Sequence, residues 1–374
     1  MKRFLSACTV LFVLQACCFA RALDDHPTLP IGSKAPGFTL KGVDGKTYTL
    51  ASFSKYKILV IIFTCNHCPT AQAYEDRIIQ LSKDYKAKNV AVVAINPNDP
   101  SAVRLDELGY TDLSDTYGEM KLRAARKKFS FPYLYDGGTQ STARAYGPVA
   151  TPHVFIFDKE RHLGYQGRID DVEKPTKTPN TFDTRNAIEE LLQGKEVTVK
   201  TTKVFGCSIK WSEKKNWVKK AFEDWSRESV NLELIDEAGV KDLVKNNSGK
   251  LRLINIWATW CGPCVVEFPE LIAINHMYRA RDFELVSICL DDISKRDKAL
   301  KFLKEKQASN KNYVFDLDNK YAFIEAIDPK WQGALPYTMI VEPGGKIIYA
   351  KQNIIDPAQL KKMIVDDPAI GRYY

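Results

Sequence analysis

Two stretches of the chain repeat one alternation of apolar and mixed segments. In the first, Ile58 to Phe63 is an unbroken apolar run, and Ala71 to Lys86 mixes apolar and polar positions at helical spacing. Val90 to Ile95 is a second apolar run, and Thr151-Pro152 precedes a third, Val154 to Phe157. In the second stretch, Leu251 to Trp257, a helical segment over Val265 to Tyr278, and Glu284 to Leu290 follow in the same order. Leu335-Pro336 then precedes Thr338 to Val341, and Gly344-Gly345 turns a hairpin into Lys346 to Tyr349. Short apolar runs separated by helices predict buried strands of an α/β sheet, and the repetition predicts two such units. Asn96 to Gly147 reads as a long insertion in the first unit, with a helix over Tyr117 to Lys128. The units divide between Trp211 and Val230. There Trp211, Trp217, Phe222 and Trp225 fall among charges, which predicts an amphipathic linker helix whose aromatic stripe packs between units.

A length of 374 residues agrees with more than one domain. Composition, 45% hydrophobic and 27% charged, excludes a disordered or fibrous chain. The N-terminus stands apart. Lys2 and Arg3 precede the nearly apolar stretch Phe4 to Ala20, and Ala20-Arg21-Ala22 has the small-x-small pattern of a cleavage site. This predicts a secretory signal peptide over residues 1–22 and a periplasmic or secreted protein. The run falls short of the roughly 20 apolar residues that cross a bilayer. Leu14-Gln15-Ala16-Cys17 loosely matches a lipobox, so an N-terminal lipid tether is a variant of the same expectation. Losing the signal removes Lys2, Arg3 and Arg21 from a net charge of +8, which leaves the chain mildly basic. Lys210, Lys214, Lys215, Lys219 and Lys220 read as a solvated helix face. No nucleic-acid partner is expected.

The cysteines carry the chemistry. Cys8, Cys17 and Cys18 belong to the signal, and Cys65, Cys68, Cys207, Cys261, Cys264 and Cys289 remain. These are too few for a disulfide scaffold, whereas two Cys-x-x-Cys pairs in an exported chain point to redox work. At a helix N-terminus the dipole and free N–H groups stabilise a thiolate on the first cysteine. The second, one turn on, resolves the mixed disulfide. Cys65 and Cys261 are therefore the expected nucleophiles, with Cys68 and Cys264 resolving. Four thiolates could also bind zinc, but the pairs lie far apart and each follows its own strand, so no metal and no other cofactor is expected. Cys289 sits in an apolar strand and reads as a buried structural thiol. Cys207, after Gly206, is left between resolving a disulfide with Cys65 or Cys68 and being inert.

The run Trp257-Ala258-Thr259-Trp260-Cys261-Gly262-Pro263-Cys264-Val265-Val266-Glu267-Phe268-Pro269 resembles the thioredoxin superfamily, in its extracytoplasmic TlpA/ResA-like branch. The resemblance covers most of residues 230–374. It implies that Pro336 is the family's cis-proline, presenting backbone to a bound peptide beside Trp260. It also implies that Glu267, with Asn255 in place of the buried acid of cytoplasmic thioredoxin, carries the proton of Cys264. A carboxylate buried there would have a raised pKa.

The first unit resembles the redoxin, AhpC/TSA-like group over residues 28–212. The matching pieces are Phe63-Thr64-Cys65-Asn66-His67-Cys68-Pro69, Ile95-Asn96-Pro97-Asn98-Asp99, Phe131-Pro132-Tyr133-Leu134, Thr151-Pro152-His153, Gly167-Arg168-Ile169-Asp170-Asp171 and Gly206-Cys207-Ser208-Ile209-Lys210-Trp211. Pro152 then stands where Pro336 stands in the second unit. His67 lies between the cysteines as in strongly oxidising DsbA-type proteins. An imidazole there would stabilise the Cys65 thiolate and make this disulfide the more oxidising of the two; the bland alternative is an exposed loop residue. Leu59 stands at the buried-acid position, where the second unit has Asn255, and Ala71 at that of Glu267, so proton transfer falls to His67, Glu75 or water.

Together these resemblances imply two thioredoxin-like folds, each a central mixed sheet flanked by helices, joined by a helical linker over 213–229. The implied function is thiol–disulfide exchange with the thiols or disulfides of exported proteins, with a membrane electron donor. A relay between the two sites is a further expectation. One rival is a thiol peroxidase in the first unit: Cys68-Pro69-Thr70 echoes the peroxiredoxin Cys-Pro-Thr, although Cys65 and Ile61 stand where that motif has Thr and Pro. Arg144 or Arg168 would then face the thiolate. The other rival is a non-catalytic module that holds copper or substrate on its thiols.

Overall fold

The computed structural model describes residues 26–174, 177–315 and 320–372. The signal peptide expected over 1–22, with its cysteines, lies outside the described residues. Among those described, no helix is long and apolar enough to cross a membrane.

The first unit is built on strands β1 (Thr39–Gly42), β2 (Thr47–Thr49), β3 (Ile58–Phe63), β4 (Val90–Asn96), β5 (Tyr133–Tyr135), β6 (Ala150–Thr151), β7 (His153–Phe157), β8 (Leu163–Gly167) and β9 (Cys207–Ser208). The main sheet runs β2-β1-β5-β4-β3-β7-β8, while β6 and β9 pair only with each other. Strands β3, β4 and β5 are mutually parallel, and β7 returns antiparallel on β3. Helices α1 (Pro69–Lys86), α2 (Tyr117–Lys127), α3 (Ser141–Tyr146) and α4 (Asp183–Leu192) cover the sheet. Alternation along β3 explains its unbroken apolar run. Ile58, Val60 and Ile62 pack with Tyr74 and Ile78 of α1, Met120 of α2 and Ile188 of α4. Leu59, Ile61 and Phe63 pack on the other face with Ala143 and Tyr146 of α3. Both faces are dry, so every position must be apolar.

Helix α5 (Lys215–Trp225) leads to the second unit. There β10 (Glu233–Ile235), α6 (Glu237–Lys245), β11 (Leu251–Trp257), α7 (Gly262–Tyr278), β12 (Phe283–Cys289), α8 (Arg296–Glu305), β13 (Lys311–Phe315), α9 (Lys320–Ile327), β14 (Tyr337–Val341), β15 (Ile347–Gln352) and α10 (Pro357–Asp366) follow. The sheet order is β10-β13-β12-β11-β14-β15. Leu251, Leu253 and Trp257 face α7, α8 and α10, whereas Ile254 and Ile256 face α6 and α9.

The structure departs from the sequence reading in four places. Helices α1 and α7 begin at Pro69 and Gly262, before the expected Ala71 and Val265, because cysteine sulfurs cap them. The segment expected as an insertion carries β5 back into the sheet beside β4; three residues after a proline give too short a periodic signal to find. The linker's aromatic stripe is covered only at its ends, Trp225 buried and Trp211 half-buried. Trp225 stacks on His276 at 4.1 Å and Trp211 meets His26 at 3.9 Å, but Trp217 is 62% exposed and Phe222 44%. Finally, the basic cluster is not one solvated face: Lys210 is buried with its Nζ on Glu107 at 2.5 Å, and Lys215 reaches Asp99 at 2.9 Å.

The segment between β4 and α2 joins the units. Val103 and Leu108 enter the core of the second unit. The carbonyls of Gly109 and Thr111 accept hydrogen bonds from Arg281 and the Tyr278 hydroxyl, each at 2.8 Å. A Cβ on Gly109 would lie 3.1 Å from the Met277 carbonyl, a close approach that favours glycine here.

Candidate active site

Each Cys-x-x-Cys pair lies where a parallel strand ends and a helix begins, the position where open α/β sheets place their ligands. In the second unit β11 ends at Trp257, and Cys261 caps α7 by accepting the Cys264 N–H at 3.3 Å. Cys261 and Cys264 are joined as a disulfide. Pro263 falls in the first turn of α7, where its missing N–H costs no helical bond. Trp260 is 65% exposed and Val266 71%, so an apolar rim surrounds a cysteine that is itself 5% exposed. The Leu335-Pro336 bond is cis, and β14 starts at the next residue.

Glu267 lies buried one turn past Cys264, and burial raises its pKa. The Asn255 side-chain amide donates to its Oε1 at 3.0 Å, and the Ile355 N–H donates to its Oε2 at 2.9 Å. Asn255 also donates to Thr338 Oγ1 at 2.9 Å, which ties the acid to β14. Cys289 is fully buried, and burial pushes its thiol up to about 12, as expected of an inert sulfur.

The first site has different geometry. Here α1 is capped by the second cysteine: Cys68 Sγ accepts the Ala71 N–H at 3.4 Å. It also accepts the Cys207 N–H at 3.3 Å and, when protonated, donates to the Thr151 carbonyl at 3.3 Å. Cys65 lies before the helix, with its Sγ 3.1 Å from Thr151 Oγ1. The expectation that the helix terminus and His67 would stabilise a thiolate on Cys65 is therefore corrected. Burial, the largest influence, raises both thiols. For Cys68 it is outweighed by hydrogen bonds from the Cys207 and Cys65 thiols, the His67 charge and the Ala71 N–H, which hold it well below the ordinary range. Cys65 stays well above, through burial, its hydrogen bond to Cys68 and the charges of Asp115 and Cys68.

His67 is not an exposed loop residue; it is 2% exposed, and its Nδ1 donates to Asp115 Oδ2 at 2.5 Å. Asp115 also accepts from the Asn98 side chain at 2.8 Å, the Asn66 N–H at 2.7 Å and the Asn96 side chain at 3.2 Å. Burial works to lower the His67 pKa, but the charge and hydrogen bond of Asp115 outweigh it and raise it. The other ring nitrogen, Nε2, is buried and has no hydrogen-bond partner. A sulfur of Cys65, a ring nitrogen of His67 and an oxygen of Asp115 lie within 4.8 Å of one another, a set that could hold a metal ion. Asp115 was not found in the sequence, because it sits in a stretch without periodicity or motif.

The remaining expected residues separate. Cys207 joins the Cys65, Cys68 and Ala71 cluster and is only half-buried. The Thr151-Pro152 bond beside it is cis. Glu75 is tied to Arg123 by two contacts, at 2.6 and 2.7 Å, and burial raises its pKa. Arg144 is held by Glu213 at 2.6 Å and Arg168 by Asp183 at 2.8 Å.

Two sheets, each with a Cys-x-x-Cys helix and a cis-proline turn at the strand ends, define a protein of the thioredoxin superfamily. Residues 31–166 match the AhpC/TSA family and residues 229–364 match the Redoxin family, and the chain belongs to the superfamily as a tandem of two such units. Among curated relatives, a Bacillus cereus thiol-disulfide oxidoreductase ResA is 26% identical over 129 residues, 33% of this chain and 66% of the relative. The thiol:disulfide interchange protein HelX of Rhodobacter capsulatus is 30% identical over 100 residues, 27% of this chain and 51% of the relative. The chain thus spans just under two thirds of the first of these. The crystal structure of a hypothetical protein from Sinorhizobium meliloti 1021 is 33% identical, with a TM-score of 0.44, covering 50% of this chain and 97% of that one.

Proposed function

We propose that the chain is an extracytoplasmic thiol–disulfide oxidoreductase that exchanges disulfides with exported proteins through both Cys-x-x-Cys sites. The signal peptide over 1–22 delivers it, and residues 28–212 and 230–374 are its domains, with 213–229 between them. The observation that carries this reading is the second site: a capping Cys261 beneath the exposed Trp260, with buried Glu267 one turn past Cys264. Cys261 attacks the substrate disulfide, and Cys264 displaces the product as Glu267 takes its proton. In the first site the capping cysteine is Cys68, so Cys68 takes the thiolate role and Cys65 completes the pair. A membrane carrier as electron source, and relay between the sites, belong to the same reading.

Reduction of a disulfide-containing protein by the full chain, with dithiothreitol as electron source, tests it. Cys261→Ser should remove most turnover; wild-type turnover in that variant would overturn the assignment. One observation favours a peroxidase in the first unit, the Cys68-Pro69-Thr70 start of α1 with two backbone N–H groups on the sulfur. Peroxide oxidising Cys68 no faster than an ordinary thiol would remove that alternative.

A further inference from the structure

The first site is covered by the chain itself. Strand β9 lies antiparallel to β6, with Cys207 opposite Thr151 and Ser208 opposite Ala150. Gly206 makes the approach possible: its φ is +144°, and a Cβ there would fall 2.0 Å from the Thr151 carbonyl oxygen. On one side the segment is anchored by Lys210, whose N–H donates to Asn98 at 2.9 Å and whose carbonyl accepts the Asp99 N–H at 2.9 Å. On the other, Phe205 packs near Tyr74 with ring centroids 6.2 Å apart. The second site has no such cover: among the described residues no strand pairs with the stretch before Pro336.

An extended segment that pairs its backbone beside a reactive group, and directs one side chain at it, is how extended peptides are bound. Here the segment carries a cysteine, and its N–H touches the Cys68 sulfur at 3.3 Å. Exposure separates the three thiols. Cys68 is 0% exposed and Cys65 2%, whereas Cys207 is only half-buried and is the most open of the three to an external disulfide.

We propose that Gly206–Ser208 is a built-in peptide substrate of the first site, and that Cys207 is the port through which the buried Cys65–Cys68 pair exchanges disulfides with external thiol compounds. This rests on the reading that the first site exchanges disulfides. In the oxidising direction, the Cys207 thiol attacks one sulfur of an external disulfide. That S–S bond breaks, a Cys207 mixed disulfide forms, and the leaving thiolate takes the Cys207 proton. The Cys68 thiolate attacks the Cys207 sulfur, forming Cys68–Cys207 and expelling the second external thiolate. Cys65 then attacks the Cys68 sulfur, forming Cys65–Cys68 and releasing Cys207; the Cys65 proton ends on the second external thiolate. Two electrons leave the buried pair, one disulfide becomes two thiols, and Cys207 returns as an anion that recovers its proton from water.

The test uses the full reduced chain carrying Cys261→Ser and Cys264→Ser, with glutathione disulfide as the probe and mass mapping of quenched products. Cys207→Ser should slow formation of the Cys65–Cys68 disulfide by about tenfold or more. Cys65→Ser should accumulate a Cys68–Cys207 disulfide. Gly206→Ala, which keeps all three sulfurs but displaces the segment, should slow the reaction as Cys207→Ser does. Wild-type rates in Cys207→Ser, or a Cys68–glutathione adduct beside a free Cys207 in Cys65→Ser, would overturn the port while leaving exchange at the first site intact. A parent chain that forms no Cys65–Cys68 disulfide would overturn the port together with the reading it rests on.

Discussion

His67 and Asp115 form a buried ion pair, 2.5 Å between Nδ1 and Oδ2, with the Cys65 sulfur within 4.8 Å of a ligand atom of each. The two residues lie on separate segments, and the pair fixes one to the other. Removing one partner of such a pair strands a buried charge, so Asp115→Asn should cost about 3–5 kcal/mol in urea unfolding at neutral pH. The pH dependence has a definite sign. The His67 pKa is raised on folding, so its contribution is complete below the ordinary histidine value and is lost as pH rises through the folded one. The Asp115 pKa is lowered, so its contribution is present above the ordinary carboxylate value and is lost as pH falls through the folded one. The pair should stabilise most between those limits. Wild-type stability across that window in Asp115→Asn would refute the account.

The two thiols of the first site should titrate in opposite directions. Cys68, which caps α1, is held well below the ordinary thiol range, and Cys65, outside the helix, is pushed well above it. Thiolate ultraviolet absorbance near neutral pH should persist in Cys65→Ser and disappear in Cys68→Ser. The reverse pattern would return the role to Cys65.

A stabilised thiolate also sets a potential. Favouring the reduced form makes the first disulfide more oxidising than the second, whose Gly262-Pro263 turn brings no charge to Cys261. Each site, measured in a chain with the other pair changed to serine, should differ by at least about 30 mV, the tenfold step for a two-electron couple. Equal potentials, or the opposite order, would count against the role of His67.

Sequence and structure agree best where periodicity is strong. Strands β3 and β11 have the expected bounds because both are buried on both faces, which makes β3 apolar throughout and leaves Arg252 and Asn255 as the polar exceptions in β11. Pattern could not show which cysteine caps α1, since that depends on Pro69 starting the helix one residue after Cys68 rather than after Cys65. Nor could it show Asp115, whose partner His67 is distant in sequence and whose neighbours carry no motif. The Cys-x-x-Cys spacing was legible in both units. The capping of α1 by Cys68, and the arrival of Cys207 beside it, are products of tertiary pairing.

Glu267 makes a distinct prediction for the second site. Burial raises its pKa, which suits a group that must accept and return a proton near neutrality. Glu267→Gln should leave the first attack by Cys261 largely intact and slow release of the product by about 100-fold. Mixed disulfides between Cys261 and substrate should then accumulate on gels run without reductant. Unchanged turnover with no trapped adduct would reduce Glu267 to a packing residue.

Arg372 provides the last test, of the contact between units. Its Nη2 donates to Asp112 at 2.9 Å and its Nη1 to Gln72 at 3.2 Å, while Gln72 donates to the Asn66 carbonyl at 2.8 Å inside the first Cys-x-x-Cys turn. Burial acts to raise the Asp112 pKa, but hydrogen bonds and charge from Arg372 and Arg126 lower it overall. Arg372→Ala should therefore cost about 1–3 kcal/mol in urea unfolding. The loss should shrink as pH falls through the Asp112 folded value, where the carboxylate is neutral. The exposed Lys241–Glu237 pair, which shares no partner with Arg372, is the control, and Lys241→Ala should stay within about 0.5 kcal/mol of wild type. If the contact also supports the first site, Arg372→Ala should slow Cys65–Cys68 disulfide formation in the full chain. A loss of stability without a change in that rate would confine Arg372 to holding the units together.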